Sequence, residues 1–123
     1  MMGVLIVDDS DFMRLSIKKI LDENNIRVAG EAKDGVEAVI KYKQLKPSLV
    51  TMDLTMPEME GENAISEILK YDPNAKIIVC SAMGQETRVM RAIKAGAKTF
   101  IVKPLDPQRL LDEIERIGKE QLA

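Results

Sequence analysis

The sequence contains no histidine and no tryptophan, a single cysteine, and only two phenylalanines and two tyrosines. Without histidine there is no Ser-His-Asp or Cys-His activation of a nucleophile and no imidazole general base. The chain is therefore not itself a phosphohistidine carrier. The lone cysteine, Cys80, excludes a disulfide framework and a cysteine-rich zinc site, and it suits a reducing compartment. Buried among apolar neighbours, it reads as a small hydrophobe rather than a reactive thiol. No apolar run approaches the roughly 20 residues needed to cross a bilayer, and the first residues meet Asp8 and Asp9 without a leader-like pattern. A cytoplasmic protein is expected. The 18 basic and 20 acidic residues are interspersed, with a net charge of −2, so neither nucleic acid nor an anionic membrane is an expected partner.

What is present is an ordinary globular mixture, 46% hydrophobic and 31% charged in 123 residues. Residues 1–123 read as one domain with no output domain following, long enough to bury about two thirds of its unfolded surface. Short apolar runs alternate with amphipathic stretches. The runs are Val4–Val7, Arg27–Ala29, Leu49–Met52, Ile77–Cys80 and Phe100–Val102, and all but the second are continuously apolar. Such runs suit parallel strands covered on both faces. The second, short and carrying Arg27, belongs at a sheet edge.

Helical spacing fills the intervals. The expected apolar faces are Met13, Ile17, Ile20 and Leu21; Val36, Val39 and Ile40; Ala64, Ile65, Ile68 and Leu69; Val89, Met90 and Ile93; and Leu110, Leu111, Ile114 and Ile117. Asp34 with Glu37 resembles a capping box, and Asp106 before Pro107 places a cap ahead of a proline in the first turn. Lys46-Pro47, Asp72-Pro73-Asn74 and Gly96 mark helix ends. Five strands alternating with five helices predict a flavodoxin-like (βα)5 fold, a parallel sheet of order 2-1-3-4-5 with helices on both faces.

In such a sheet, ligands bind beyond the carboxyl ends of the strands. The first strand ends in Asp8-Asp9, the third in Asp53, the fourth in Ser81 and the fifth in Lys103-Pro104. Strands one and three are neighbours, so three carboxylates converge. Two unit charges about 4 Å apart cost about 4 kcal/mol at an effective dielectric of 20, and three such pairs approach the whole stability of a typical domain, about 5–15 kcal/mol. The site must therefore hold a cation or raise a pKa. Lys103 offsets one charge, and oxygen-only ligands point to Mg2+ for the rest. Magnesium and a carboxylate nucleophile together suggest phosphoryl transfer through an aspartyl phosphate. Asp53, on a central strand between Met52 and Leu54, is the expected acceptor, with Asp8 and Asp9 holding the metal.

Five segments, Val7-Asp8-Asp9-Ser10, Met52 through Gly61, Ser81-Ala82-Met83, Gly96-Ala97-Lys98 and Val102-Lys103-Pro104, occur in order and at fixed spacing. Together they resemble the receiver domains of two-component response regulators, and among these the stand-alone, CheY-like chemotaxis family. The resemblance covers essentially the whole chain. It implies phosphorylation of Asp53 by a CheA-like histidine kinase. It implies Mg2+ bound by Asp9, Asp53 and the backbone carbonyl of Thr55, with Asp8 acting largely through water. Lys103 would pair with the acceptor and then the phosphoryl group, and Ser81 would hydrogen-bond that group. Phe100 stands at the position of an aromatic switch, here without a hydroxyl, and Lys103-Pro104 is expected to be cis. The implied partners are the kinase, a flagellar or archaellar motor switch or adaptor protein, and a phosphatase, for a monomer.

The sequence departs from the family pattern at Ser81, where threonine is more frequent, and at Glu60, where Asp or Asn is common. Thr55 and Met83 occupy positions that tune phosphoryl lifetime in the family. Met52, Met56, Met59, Met83 and Met90 read as packing filler rather than an adaptable partner surface. Other readings remain beside the receiver: a relay receiver of the sporulation type, an aspartate-nucleophile phosphatase of small molecules, and a degenerate receiver that takes no phosphate. Dinucleotide binding is disfavoured, because Asp-Asp-Ser-Asp follows the first strand where a glycine-rich loop would be needed.

Overall fold

A computed structural model describes residues 3–120. Expectations placed on Met1 and Met2 and on residues 121–123, the two ends of the chain, lie outside the described residues. The elements run β1 (Val4–Val7), α1 (Asp11–Glu23), β2 (Val28–Ala32), α2 (Gly35–Leu45), β3 (Leu49–Asp53), α3 (Gly61–Tyr71), β4 (Ile77–Ser81), α4 (Glu86–Ala95), β5 (Thr99–Val102) and α5 (Pro107–Glu120). The five strands form one parallel sheet of order β2-β1-β3-β4-β5, the doubly wound fold expected from the sequence.

Alternate strand residues face opposite helical layers. Leu5, Val7, Val50, Met52, Ile77 and Val79 pack against Ala38 and Tyr42 of α2, Ala64, Ile65 and Ile68 of α3, and Val89 and Ala92 of α4. Val4, Ile6, Leu49, Ile78 and Ile101 pack against Ile17 and Leu21 of α1 and Leu110 and Ile117 of α5. This explains the apolar runs of β1, β3 and β4, which are covered on both sides, whereas the edge strand β5 leaves Phe100 and Val102 exposed; each fully buried Leu or Ile contributes about 1.5–3 kcal/mol relative to exposure.

The caps follow the punctuation. The Asp34 side chain accepts the Glu37 N–H at 2.8 Å, while Glu37 reaches back to the Lys33 N–H at 3.2 Å, one residue earlier than a capping box requires. Asp106 accepts from the Gln108 N–H at 3.2 Å ahead of Pro107. Lys46 closes α2 in the left-handed region with φ 45°, and Gly96 closes α4 with φ 121°. Ser10 caps α1, accepting from the Met13 N–H at 3.2 Å.

Three expectations need correction. β2 begins after Arg27 and continues to Ala32, so the charge on this edge strand is Glu31. On α2, Val36 and Ile40 are exposed, and the helix instead buries Gly35, Ala38 and Tyr42. Small Gly35 and Ala38 let the helix lie close to its neighbours, and Tyr42 spends its hydroxyl on Asp72 at 2.8 Å. On α4, Met90 is exposed while Ala92 is buried. The methionines divide accordingly: Met52 and Met56 are core, but Met83 and Met90 lie on the surface, so filler describes only part of the set.

Candidate functional site

The carboxyl edge of the sheet gathers every residue expected there. Val7 pairs with Met52 across β1 and β3, so Asp8 and Asp53 leave adjacent strands side by side. Asp53 pairs with Cys80, and Ser81 pairs with Val102, which brings β4 and β5 to the same edge. Asp8, Asp53 and Ser81 are buried and Asp9 is exposed. Carboxylate oxygens of Asp8, Asp9 and Asp53 all lie within 4.8 Å of one another. Lys103 Nζ stands 3.1 Å from Asp8 Oδ2 and 3.5 Å from Asp53 Oδ1. The Lys103 backbone N–H donates to the Ser81 carbonyl at 2.7 Å, and the Lys103-Pro104 peptide is cis.

Local bonds hold these groups in place. Asp8 receives the Ser10 N–H on Oδ1 at 2.9 Å, and its carbonyl accepts from Arg14 Nη1 at 2.6 Å. Gly61 lets α3 begin against the strand end: a Cβ there would fall 2.3 Å from the Asp53 carbonyl oxygen.

Asp53 pays for its position. Burial, and then the Asp8 charge, push its pKa up to about 6, against the opposing pull of Lys103 and of a hydrogen bond from the Thr55 N–H. Burial alone would favour neutral Lys103, but the Asp53 and Asp8 carboxylates outweigh it and raise the ammonium above the ordinary lysine value. Burial pushes the Cys80 thiol up to about 12, in keeping with its reading as an inert hydrophobe. The cluster has the donor chemistry of a Mg2+ site, hard oxygens from a few carboxylates. A second feature points to an oxygen-rich ligand: the Ser81 Oγ is buried and has no hydrogen-bond partner among the described residues. Buried hydroxyls are ordinarily satisfied.

Phe100, at the aromatic-switch position, keeps 39% of its surface exposed at the β5 edge. It borders a cavity of about 400 Å³ with Ser81, Met83, Val89, Met90 and Val102. This mostly apolar space lies between the β4–α4 loop, the start of α4 and β5.

Sequence reading missed a network across the mouth of the site. Thr55 Oγ1 accepts from Gln85 Nε2 at 2.8 Å and from Arg88 Nη1 at 2.7 Å, and Gln85 Oε1 accepts the Ala82 N–H at 2.7 Å. Arg88 also pairs with Glu62 through both carboxylate oxygens at 2.7 Å. Glu60 is the N-cap residue of α3 but makes no side-chain cap bond, and its carboxylate lies 3.7 Å from Arg88. These partners are up to 33 residues apart in sequence, and no local pattern announces them.

Comparison with known proteins accords with this geometry. Residues 4–115 match the family described as response regulator receiver domain. The chain is 61% identical over 116 residues to the chemotaxis protein CheY of Thermotoga maritima, covering 94% of this chain and 97% of the relative. It is 46% identical over 114 residues to CheY of Halobacterium salinarum, covering 93% and 94%. Among solved structures it is similar to the CheX-CheY-BeF3-Mg+2 complex from Borrelia burgdorferi. The TM-score there is 0.89 at 43% identity, over 94% of this chain and 87% of that one.

Proposed function

Because the chain belongs to the response regulator receiver domain family and is of the CheY chemotaxis type, we propose that it is a switch operated by phosphorylation of Asp53. The observation that carries this reading is the meeting of Asp8, Asp9, Asp53 and Lys103 at one sheet edge beside an unpartnered Ser81 hydroxyl. The phosphodonor is a histidine kinase of the CheA type. A carboxylate oxygen of Asp53 forms a bond to phosphorus as the P–N bond of the phosphohistidine breaks, and the imidazole, already protonated on its other ring nitrogen, departs neutral. Asp9, Asp53 and the Thr55 carbonyl, with Asp8 through water, would hold Mg2+, which neutralises charge on the transferring group. Lys103 is placed to follow the charge from carboxylate to phosphoryl oxygen, and Ser81 to donate to another of those oxygens.

The new group carries about −1.5 to −2 charges. Drawing Ser81 and Lys103 toward it shifts the loops after β3 and β4, Phe100 repacks in the adjoining cavity, and the face formed by α4, β5 and α5 changes. A protein partner selects that face, so phosphorylation works as a population shift. The partner is a motor switch or adaptor protein, with a phosphatase ending the signal, in the cytoplasm and with the receiver as a monomer. The chain performs only its own phosphoryl transfer and loss, and is not an enzyme toward other substrates.

Acetyl phosphate or beryllofluoride, with and without Mg2+, tests this on wild type and Asp53→Asn. An adduct in wild type that needs the metal and is absent from Asp53→Asn is expected. The same adduct on Asp53→Asn would remove the acceptor assignment. A pull-down of the beryllofluoride form with motor-switch proteins separates a chemotaxis output from a relay receiver of the sporulation type.

A further inference from the structure

Arg88 lies in the first turn of α4, and its guanidinium reaches out of that helix in every hydrogen bond described here. Nε and Nη2 grip the Glu62 carboxylate at 2.7 Å each, Nη1 donates to Thr55 Oγ1 at 2.7 Å, and Nη2 donates to the Leu54 backbone carbonyl at 2.6 Å. The Leu54 carbonyl and the Thr55 N–H belong to one peptide unit, which starts at the residue after Asp53, and that N–H is near enough to the Asp53 carboxylate to lower its pKa. The peptide is planar, so fixing its carbonyl aims its N–H. The Gly61 N–H takes the same carbonyl at 2.9 Å, so two donors hold it. A carbonyl that accepts from a cation is also polarised, which strengthens the N–H at its other end as a donor.

Resting on the reading of Asp53 as phosphoacceptor, we propose that Arg88 is a positioning residue for phosphotransfer. Anchored by Glu62, it fixes the Leu54–Thr55 peptide against Asp53. This differs from an ordinary surface ion pair in two ways. The Arg88 and Glu62 side chains are only 22% and 14% exposed, so solvent screens the pair less than at an open surface. The four bonds also need a planar fork: a lysine ammonium, with its donors at one point, cannot grip Glu62, Leu54 and Thr55 together. Burial alone would raise the Glu62 carboxyl, but Arg88 holds it below the usual carboxylate range, so the anchor is charged at neutral pH.

The test uses wild type, Arg88→Met, Arg88→Lys and, as a control on the exposed side of the same helix, Lys94→Met. Two quantities are read: the rate of phosphorylation by acetyl phosphate in saturating Mg2+, and the chemical shift of the Thr55 amide proton in the unphosphorylated protein. Small misplacements around a reacting group cost up to about a hundredfold. Arg88→Met is expected to be slower by roughly tenfold, with the Thr55 amide moved upfield as its bond to Asp53 loosens. Arg88→Lys should resemble Arg88→Met in both readouts, and Lys94→Met should resemble wild type. A wild-type rate in Arg88→Met, full rescue by Arg88→Lys, or a slower rate with an unmoved Thr55 amide would each overturn the proposal. If Arg88→Met does not fold, Arg88→Lys alone decides on the same two readouts. If wild type itself takes no phosphoryl group, the proposed function falls, and the Thr55 amide still reports whether Arg88 holds that peptide.

Discussion

The Nζ of Lys103 stands closer to Asp8 than to the expected phosphoacceptor, 3.1 Å against 3.5 Å for Asp53. In the resting protein the ammonium is thus shared, and its nearer contact is with the carboxylate that leaves β1. Burial, and then the Asp8 charge, raise the Asp53 pKa to about 6, and the shared ammonium offsets that rise only in part. A group that must act as a nucleophile gains from having its negative charge only partly quenched, while a nearby cation waits for the charge to move outward onto phosphoryl oxygens.

Replacing Lys103 by Met keeps much of the stem and removes the charge. Lys103 is the foremost of the influences that lower the Asp53 pKa, so Lys103→Met should push it further above 6. A pH titration of the Asp53 carboxyl carbon by NMR, in metal-free protein, reads this directly. A midpoint that stays put would mean that the ammonium does not reach Asp53 in solution.

The Asp53 shift also fixes how metal-free stability depends on pH. A free aspartate titrates near 3.8 and folded Asp53 near 6. Well below pH 3.8 the group is protonated in both states and contributes nothing. Between the two values the unfolded chain has released the proton and the folded one has not, so stability falls as pH rises. Above pH 6 the loss is complete, about 3 kcal/mol for this separation. Urea unfolding should therefore show metal-free wild type losing about 3 kcal/mol relative to Asp53→Asn between pH 4 and pH 7. Adding Mg2+ at pH 7 should close most of that gap. A ligand at a hundredfold excess over its Kd adds about 2.7 kcal/mol, and the variant forfeits one ligand. Parallel curves for the two proteins, with no response to Mg2+, would contradict both the crowding and the site.

Two buried hydroxyls lack partners among the described residues, Ser81 Oγ and Thr51 Oγ1. An unsatisfied buried hydroxyl costs about 1–3 kcal/mol, but the two sit in different places. Thr51 is mid-strand, paired with Ile6 and Ile78 on the layer facing α1 and α5, whereas Ser81 ends β4 at the carboxylate cluster. Thr51→Val should raise the thermal midpoint and leave beryllofluoride binding unchanged. Ser81→Ala should leave stability level or higher yet weaken beryllofluoride binding by roughly tenfold, the value of one hydrogen bond to a charged group. Equal binding by both variants would show that Ser81 does not meet the ligand.

The contrast between these hydroxyls also shows why some of the protein could be read before its structure and some could not. Strand ends were legible because each apolar run stops abruptly at a polar residue, Asp8, Asp53, Ser81 or Lys103, and topology alone then assembles them. The inner face of α2 was not, because Gly35 and Ala38 are buried for their smallness while the more hydrophobic Val36 and Ile40 stay outside. Hydrophobicity marks what gains by burial, and close helix packing can override it. Arg88, Gln85 and Glu62 were invisible for a different reason. The bonds of Arg88 and Gln85 to Thr55, Leu54 and Ala82, and of Glu62 to Arg88, are made by polar side chains on helix ends and loops, where such residues read as solvated surface until the partner is known.

Two glycines offer a last test, with opposite signs. At Gly61 an added Cβ would lie 2.3 Å from the Asp53 carbonyl oxygen and 2.8 Å from the Leu54 Cα, both backbone atoms of the strand end that carries the proposed phosphoacceptor. Neither can move without shifting Asp53 and breaking the 2.9 Å bond from the Gly61 N–H to the Leu54 carbonyl. Gly118 lies inside α5 with nothing within 4 Å of its notional Cβ. Gly61→Ala should cost about 1–3 kcal/mol, as overpacking does, and should slow phosphorylation by acetyl phosphate because the strained atoms adjoin the acceptor. Gly118→Ala should instead stabilise by about 0.5–1 kcal/mol through helix propensity, with phosphorylation unaffected. Chemical denaturation and the acetyl phosphate rate, measured on both variants, check each sign. Tolerance of alanine at Gly61 in both assays would mean that α3 does not press against the end of β3 as closely as this packing requires.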